Sequence, residues 1–443
     1  MSRAPVAVIG AGFAGLTAAR ELRRHGVAVR IFEGSRSVAG LAASTVDGDG
    51  FVADTGAHFI TNRLAAAVGV SARCRVVERY GESVLLDSAV YQYPTGLLRR
   101  PRFVASAVAG RLRRSGEVLS AADWFRGQYG RALADDIALP LVEAWSGLPG
   151  DALAAAVGDK IPTSLSHTLR LRITGRIAHR AVAVGYCGSA PEIAGVHHVY
   201  PEHGGVATLC HALAGELQDA ITLESPVESI YVDGGRAVGI RSGGEDHDAA
   251  AVISTAPVHV LPRLVAGSTD VLAPLAGFRY RAMVFVNLRM HGRGLLPDVV
   301  NWIPDRTVPF FRLTEASQSM PWLAPPGKTM ITADLGAVIG DEIWTSDDDA
   351  LAARCLDHLA RWIPDAHNRA LGSQVLRVPL AYPVFALAYE RERQRFEQDT
   401  GIDGLESIGR NGEFAHILME DVYWRTVRRT RHLADRIVMR VAA

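Results

Sequence analysis

The sequence predicts an α/β protein in which a parallel, helix-covered sheet is assembled from separated stretches of chain and carries an inserted domain of antiparallel sheet and helices. Three observations predict it. A glycine-rich turn lies between two short apolar strands at the start of the chain, and related strand–glycine–helix segments return around residues 200 and 410. The 443 residues exceed what one hydrophobic core fills, so two intertwined domains are expected.

The first element is Val6-Ala-Val-Ile9, followed by Gly10-Ala11-Gly12-Phe13-Ala14-Gly15, a helix over 16–25 and a second strand over 27–32 that ends in Glu33 and Gly34. Gly10 permits the tight turn, Gly12 lets a diphosphate approach the backbone, and Gly15 lets helix and strand pack closely. The helix start offers unpaired N–H groups to the phosphates. Glu33 sits where ribose hydroxyls are read, which favours an unphosphorylated adenosine ribose. The segment therefore reads as the opening of a Rossmann-like dinucleotide-binding domain.

A nicotinamide dinucleotide needs little beyond this half, whereas FAD carries a ring that distant segments must enclose. Such segments follow in order. Gly40 and Leu41 lie in a loop after the second strand, and 51–59 runs as a strand into a glycine loop with Gly56, Ala57 and His58. Tyr200-Pro201 and Gly204-Gly205 then open a helix over 206–217, with strands at 227–231, 237–241 and 250–255. The last segment, 407–421, leads into a helix through Leu433. Between these blocks, 85–197 reads as mainly helical, including a helix over 121–139, and 270–400 opens on the alternating strand pattern of 282–288. The expected FAD-binding domain is thus discontinuous, 1–84, 198–269 and 401–443, with 85–197 and 270–400 forming the substrate domain.

Lys+Arg and Asp+Glu are both 47, so no net field draws nucleic acid or an acidic polymer to the chain. Cys74, Cys187, Cys210 and Cys355 are far apart and read as reduced thiols of a cytoplasmic protein. No uncharged apolar run is long enough to span a membrane. The arginines from Arg99 to Arg114 bracket apolar residues 103–112, a pattern shared by solvated faces and by helices lying on anionic membranes, so peripheral membrane contact is a weaker expectation. His197, His198 and His203 lack carboxylate or thiolate companions at ligand spacing, so no metal site is expected.

These residues resemble the FAD-dependent amine oxidase, protoporphyrinogen oxidase and phytoene desaturase group, and within it the branch similar to UDP-galactopyranose mutase. The resemblance rests on Val8 to Leu16, Asp54-Thr-Gly-Ala-His58, Tyr93-Pro94, Phe125 to Trp145, Tyr200-Pro201 with Gly204-Gly205, Gly340 to Trp344, Ala381-Tyr-Pro383, and Gly409-Arg-Asn-Gly412 with Met419-Glu-Asp421. It implies bound FAD, with Gly409 and Arg410 crossing the flavin and Met419, Glu420 and Asp421 opening a helix whose positive end faces the ring. It also implies that Val227 contacts the adenine. Three departures stand out: Ala39 and Leu41 replace a glycine and an arginine common in amine oxidases; neither lysine, Lys160 or Lys328, matches the lysine that holds water at the flavin; and 195–200 lacks the mutases' sugar-diphosphate arginine.

His58 is the candidate catalytic residue, because histidine titrates near neutral pH and this one lies on a loop expected to face the ring. Trp302, Arg312, Tyr382, Tyr389, Glu413 and His416 are candidates for the substrate pocket. The expected activity is hydride transfer from a small molecule, an amine, an alcohol or a C–C unit, to flavin N5, with dioxygen or another acceptor taking the electrons. A redox-neutral isomerase using reduced flavin and a flavin-binding protein without turnover are the alternatives. A homodimer is also compatible with the sequence.

Overall fold

The computed structural model describes residues 4–56, 58–87, 89–93, 95–112, 118–160, 173, 180–181, 196–265 and 269–442. Ala57, Pro94, Arg113, Arg114, Cys187 and most of 161–195 lie outside the described residues.

The first layer is a five-stranded parallel sheet in the order Ile221–Thr222, Val29–Phe32, Val6–Ile9, Ala251–Ser254, Leu405–Ser407. Val6 pairs with Val29 on one side and Ala251 on the other, and Val252 pairs with Leu405, so the beginning, middle and end of the chain share one sheet. Its central strands are buried on both faces and apolar except for Ser254, as a helix-covered parallel sheet requires. The helix Phe13–Arg24 covers one face, with Leu16, Ala19 and Leu22 inaccessible to solvent.

The C-terminal helix Met419–Ala442 packs on that first helix. Arg431 Nε donates to Glu21 at 2.6 Å, and Arg20 Nη2 donates to the Tyr423 hydroxyl at 2.7 Å. The two ends of the polypeptide are thus held together by ion pairing and by packing. The sequence pattern ended this helix near Leu433, but its buried stripe of Val427, Leu433, Ala434 and Ile437 carries it further.

The second layer is a seven-stranded sheet in the order Ala370–Pro383, Tyr280–His291, Lys328–Ala337, Arg312–Thr314, Val300–Trp302, Glu82–Leu86, Ala89–Gln92. Its pairings are antiparallel except Val300–Trp302 with Glu82–Leu86. Glu82–Leu86 and Ala89–Gln92 therefore form a strand pair of this sheet, and helical structure begins only beyond them. The expected helix over 121–139 is also interrupted. It stops at Tyr129, because Gly130 takes φ 82° and a Cβ there would lie 2.4 Å from the backbone of Ser106. The chain then resumes through a π-helical turn, Ala134–Ala138, into Leu139–Ser146. Among the described residues no helix is long and apolar enough to cross a membrane.

Candidate functional site

Two glycine loops form one cradle at the C-terminal edge of the parallel sheet. Gly10 has φ 98°, and a Cβ on Gly15 would lie 2.0 Å from the Gly10 carbonyl oxygen, so both positions demand glycine. A Cβ on Gly12 would meet nothing nearer than the Ala39 carbonyl oxygen at 3.9 Å, which leaves this backbone open to close approach. Phe13 and Ala14 are buried at the start of the helix, which has no side-chain cap. Gly40, at φ 52°, lies against Gly12, while Ala39 N donates to the Ala11 carbonyl at 3.0 Å.

Glu33 holds this cradle. Its Oε2 accepts from Ala11 N at 2.7 Å, and its Oε1 accepts from Ser35 N and Ser35 Oγ. Gly34 packs against Pro226, and Ser225 N donates to the Glu33 carbonyl at 2.8 Å, which brings Val227 to the same edge. An uncapped helix start, an open glycine backbone and an acid at the end of the second strand fit the diphosphate and ribose of a dinucleotide.

The Asp54 motif and the Gly204-Gly205 turn prove to be one structural unit. Asp54 accepts hydrogen bonds from the Tyr200 hydroxyl, from Ser44 Oγ at 2.6 Å and from Val206 N at 3.2 Å. A Cβ on Gly205 would lie 2.6 Å from Asp54 Oδ1, so this contact requires glycine as well as φ 64°. Gly56 then turns the chain toward the seven-stranded sheet, where a Cβ would touch the Phe285 ring at 3.4 Å. His58 follows, with Nε2 bonded to the Thr55 carbonyl at 3.0 Å. Burial lowers its pKa below the ordinary histidine value; Asp54 opposes the shift, while Arg410 and Arg312 add to it. The ring is therefore neutral near pH 7. With Nε2–H donated to Thr55, Nδ1 is the basic nitrogen.

The C-terminal segment meets this loop from the other side. Gly409, at φ 84°, crosses the first helix so closely that a Cβ would lie 2.6 Å from Ala14 Cβ. Arg410 then places its guanidinium carbon 4.8 Å from the centroid of the Tyr382 ring. Tyr382 and His416 meet edge to face at 4.9 Å, and Trp145 lies 5.0 Å from His416 and 5.7 Å from Tyr382. Leu41 packs on the same apolar cluster as Phe285 and Tyr382, so the residue standing where an arginine is common links the cradle to the second sheet.

Arg312 closes the group. It is ion-paired to the fully buried Asp334 and lies 5.5 Å over the Trp302 ring. Burial disfavours its charge, but Asp334 and Tyr382 override this and hold the guanidinium above its ordinary pKa. Trp302 Nε1 donates to Glu82 at 2.9 Å, and the Tyr80 hydroxyl donates to the other oxygen of Glu82 at 2.6 Å.

Of the six pocket candidates, Trp302, Arg312, Tyr382 and His416 come together, and two do not join them. Tyr389 stacks on Phe278 at 4.5 Å and donates to the Val384 carbonyl, which places it in the core behind the pocket. Glu413 accepts from Gly409 N and Arg425 Nη1, tying the loop to the tail helix. Glu420 likewise turns inward, accepting from Thr61, Arg63 and Trp424, while Asp421 accepts from Leu418 N and Met419 packs on the first core. Asp334, Glu82 and Phe285 escaped the sequence reading. Asp334 left a signal: it is a lone acid in the strand Lys328–Ala337, where a buried charge needs a partner.

Residues 13–405 match the family model described as flavin containing amine oxidoreductase. Among solved structures, the chain is similar to a reduced UDP-galactopyranose mutase, at 18% identity over 97% of this chain and 95% of that one, with a TM-score of 0.79. It is also similar to wild-type putrescine oxidase bound to putrescine, at 16% identity over 98% and 99%, with a TM-score of 0.68. An oxidoreductase from Methanosarcina mazei matches at 18% identity over 96% and 100%, with a TM-score of 0.65. At such identities the likeness is one of fold. The family match adds a flavin, and the open cradle together with the unpartnered Nε of Arg410 fits one.

Proposed function

The chain belongs to the flavin-containing amine oxidoreductase family and takes FAD as its cofactor, and from that premise we propose that it oxidises a small molecule bound between the Gly56–His58 loop and the Tyr382–His416–Trp145 cluster. The observation that carries this reading is that Arg410 lies over Tyr382, beside His416 and Trp145, while Gly56 lies against Phe285 of the same apolar cluster, so that the glycine loop, the tail and the second sheet meet there. FAD supplies hydride acceptance at ring N5 and passes the electrons to dioxygen or another acceptor.

The protein's own residues supply placement and proton handling. Tyr382, His416 and Trp145 offer aromatic walls that exclude water and hold an apolar substrate body. His58, neutral and donating through Nε2 to Thr55, keeps Nδ1 as a base for a proton on the substrate's nitrogen or oxygen. Lys328 takes no part in this. It begins its strand six residues before Asp334, about 20 Å away along the chain.

The test is anaerobic reduction of the purified holoprotein by a panel of amines, alcohols and saturated C–C substrates. The expected result is a yellow protein bleached by at least one class, with hydrogen peroxide formed on admitting air if dioxygen is the acceptor. Turnover that appears only after dithionite, with no net redox change, would replace this reading with an isomerase. Colourless protein that FAD cannot reconstitute would remove catalysis altogether.

A further inference from the structure

We infer that the helix Pro101–Leu112 lays its outer face on the surface of an anionic bilayer. The inference does not depend on the reaction proposed above. Its starting point is the way this helix is fixed. Phe103 is buried, a Cβ on Gly130 would sit 2.4 Å from the backbone of Ser106, and a Cβ on Gly110 would sit 3.3 Å from the Gly130 Cα. These contacts decide which side looks inward.

The outer side is Pro101, Val104, Ala105, Val108 and Ala109, all exposed. Their spacing, i, i+3, i+4, i+7 and i+8, is that of a stripe meant for burial, here turned to solvent. Leu98 in the turn before the helix is 49% exposed, and Val118 and Leu119 beyond it are 51% and 53% exposed. Single exposed apolar residues are ordinary, whereas a continuous apolar face marks a contact surface. The helix Glu390–Gln398 of the same chain shows the contrast, presenting Arg391, Gln394, Arg395 and Glu397 to water.

Charge selects the occupant. Residues 98–119 contain six arginines and one acid, Glu117, in a chain whose net charge is zero. Asp87 answers Arg100 and Asp136 answers Arg102, while Arg99 is exposed. The segment therefore stays positive after its ion pairs are counted. An apolar helix face set among arginines suits a layer with acidic headgroups outside and acyl chains about 5–10 Å below. A second copy of the chain fits less well, because a twofold contact through this face would bring the two arginine-rich segments together. On the inner side, Phe103 and Leu97 share a cluster with Val84, and Trp302 packs against it. Docking would thus turn the Trp302 side of the pocket toward the bilayer.

The test uses the FAD-loaded full chain and two kinds of vesicle, phosphatidylcholine alone and an equal mixture of phosphatidylcholine and phosphatidylglycerol, with co-sedimentation as the readout. Binding to the mixed vesicles is expected to be at least about 10-fold tighter and to weaken as salt rises. Val104→Asp combined with Val108→Asp should weaken it about 10-fold or more, and Arg99→Gln about fivefold. All three side chains are exposed, so these variants should keep their FAD and their urea midpoint, which separates lost docking from lost folding. Should the double variant fail to fold, Arg99→Gln and the lipid preference of the unaltered protein still decide.

Failure to sediment with the mixed vesicles would overturn the inference, as would equal binding to both compositions. So would binding that survives the double substitution, which would place the contact elsewhere on the surface. A dimer in lipid-free solution that the double substitution dissociates would assign the face to a second copy and overturn it too.

Discussion

The Glu33 carboxylate accepts the Ala11 backbone N–H at 2.7 Å, so the acid expected to read a ribose also fixes the loop that receives the phosphates. Its other oxygen holds Ser35 through both the backbone and the hydroxyl. One side chain therefore sets the geometry of the turn and presents negative charge at the end of the second strand. Substituting it removes both contributions.

Glu33→Ala should weaken FAD binding to the apoprotein about 10- to 100-fold, the loss expected for hydrogen bonds to a charged group. Fluorescence titration of the apoprotein with FAD measures this directly. An unchanged affinity would show that the loop keeps its shape without Glu33 and that the acid does not meet the ribose.

Ala39 marks the departure from the usual glycine, and its backbone keeps the glycine conformation, φ 89° and ψ −28°. A Cβ in the left-handed region costs about 1–2 kcal/mol. Ala39→Gly recovers that strain but loosens the unfolded chain by about 0.4–1 kcal/mol, so the net gain should be about 0.5–1 kcal/mol. Urea unfolding of the two proteins should show the variant more stable at unchanged m-value. A loss of stability would mean that the buried Ala39 methyl is worth more than the strain.

The contrast between Ala39 and Tyr389 shows how much the sequence reveals. Glycine loops are legible because glycines such as Gly10, Gly15 and Gly205 meet a local demand, a positive φ or an atom too close for a Cβ, and the strands around them are short and apolar. For the same reason the parallel sheet can be read from its turns. Tyr389 has no such local constraint: its phenol finds the Val384 carbonyl, and its ring finds Phe278, more than a hundred residues earlier. The strand Glu82–Leu86 pairs locally with Ala89–Gln92, but what joins that hairpin to the second sheet is Val300–Trp302, over two hundred residues away. Asp334 needed Arg312, and Glu82 needed Trp302, before either acquired a role. Contacts across two inserted segments leave little trace in local pattern.

Glu420 binds the tail helix to the segment before the helix Asn62–Val68, accepting from Thr61, Arg63 and Trp424 while almost fully buried. Glu420→Ala strands the Thr61 hydroxyl, whereas Arg63 and Trp424, both partly exposed, can turn to water. The expected cost is about 2–3 kcal/mol, below that of a fully buried ion pair because Arg63 is partly exposed. Chemical unfolding measures it, and hydrogen exchange should quicken first near residues 419–424. A cost under about 0.5 kcal/mol would reduce Glu420 to a bystander.

His198 gives the fold a pH dependence of known sign. Its ring packs 5.7 Å from both Phe59 and Tyr80, and burial pushes its pKa down to about 4. A histidine depressed in the folded state binds its proton more readily when unfolded, so its stabilisation is complete above the unfolded value near 6.5 and declines as pH falls toward 4. At pH 5 the loss is about 2 kcal/mol. His58, also lowered by burial, adds to the loss in the same direction. Carboxylates contribute to acid unfolding too, so the informative quantity is a difference. His198→Phe, which keeps an aromatic ring between Phe59 and Tyr80, should lose about 2 kcal/mol less than the unaltered protein between pH 7 and pH 5. Parallel stability curves for the two proteins across that range would mean that His198 is already protonated, or already accessible to water, in the folded chain.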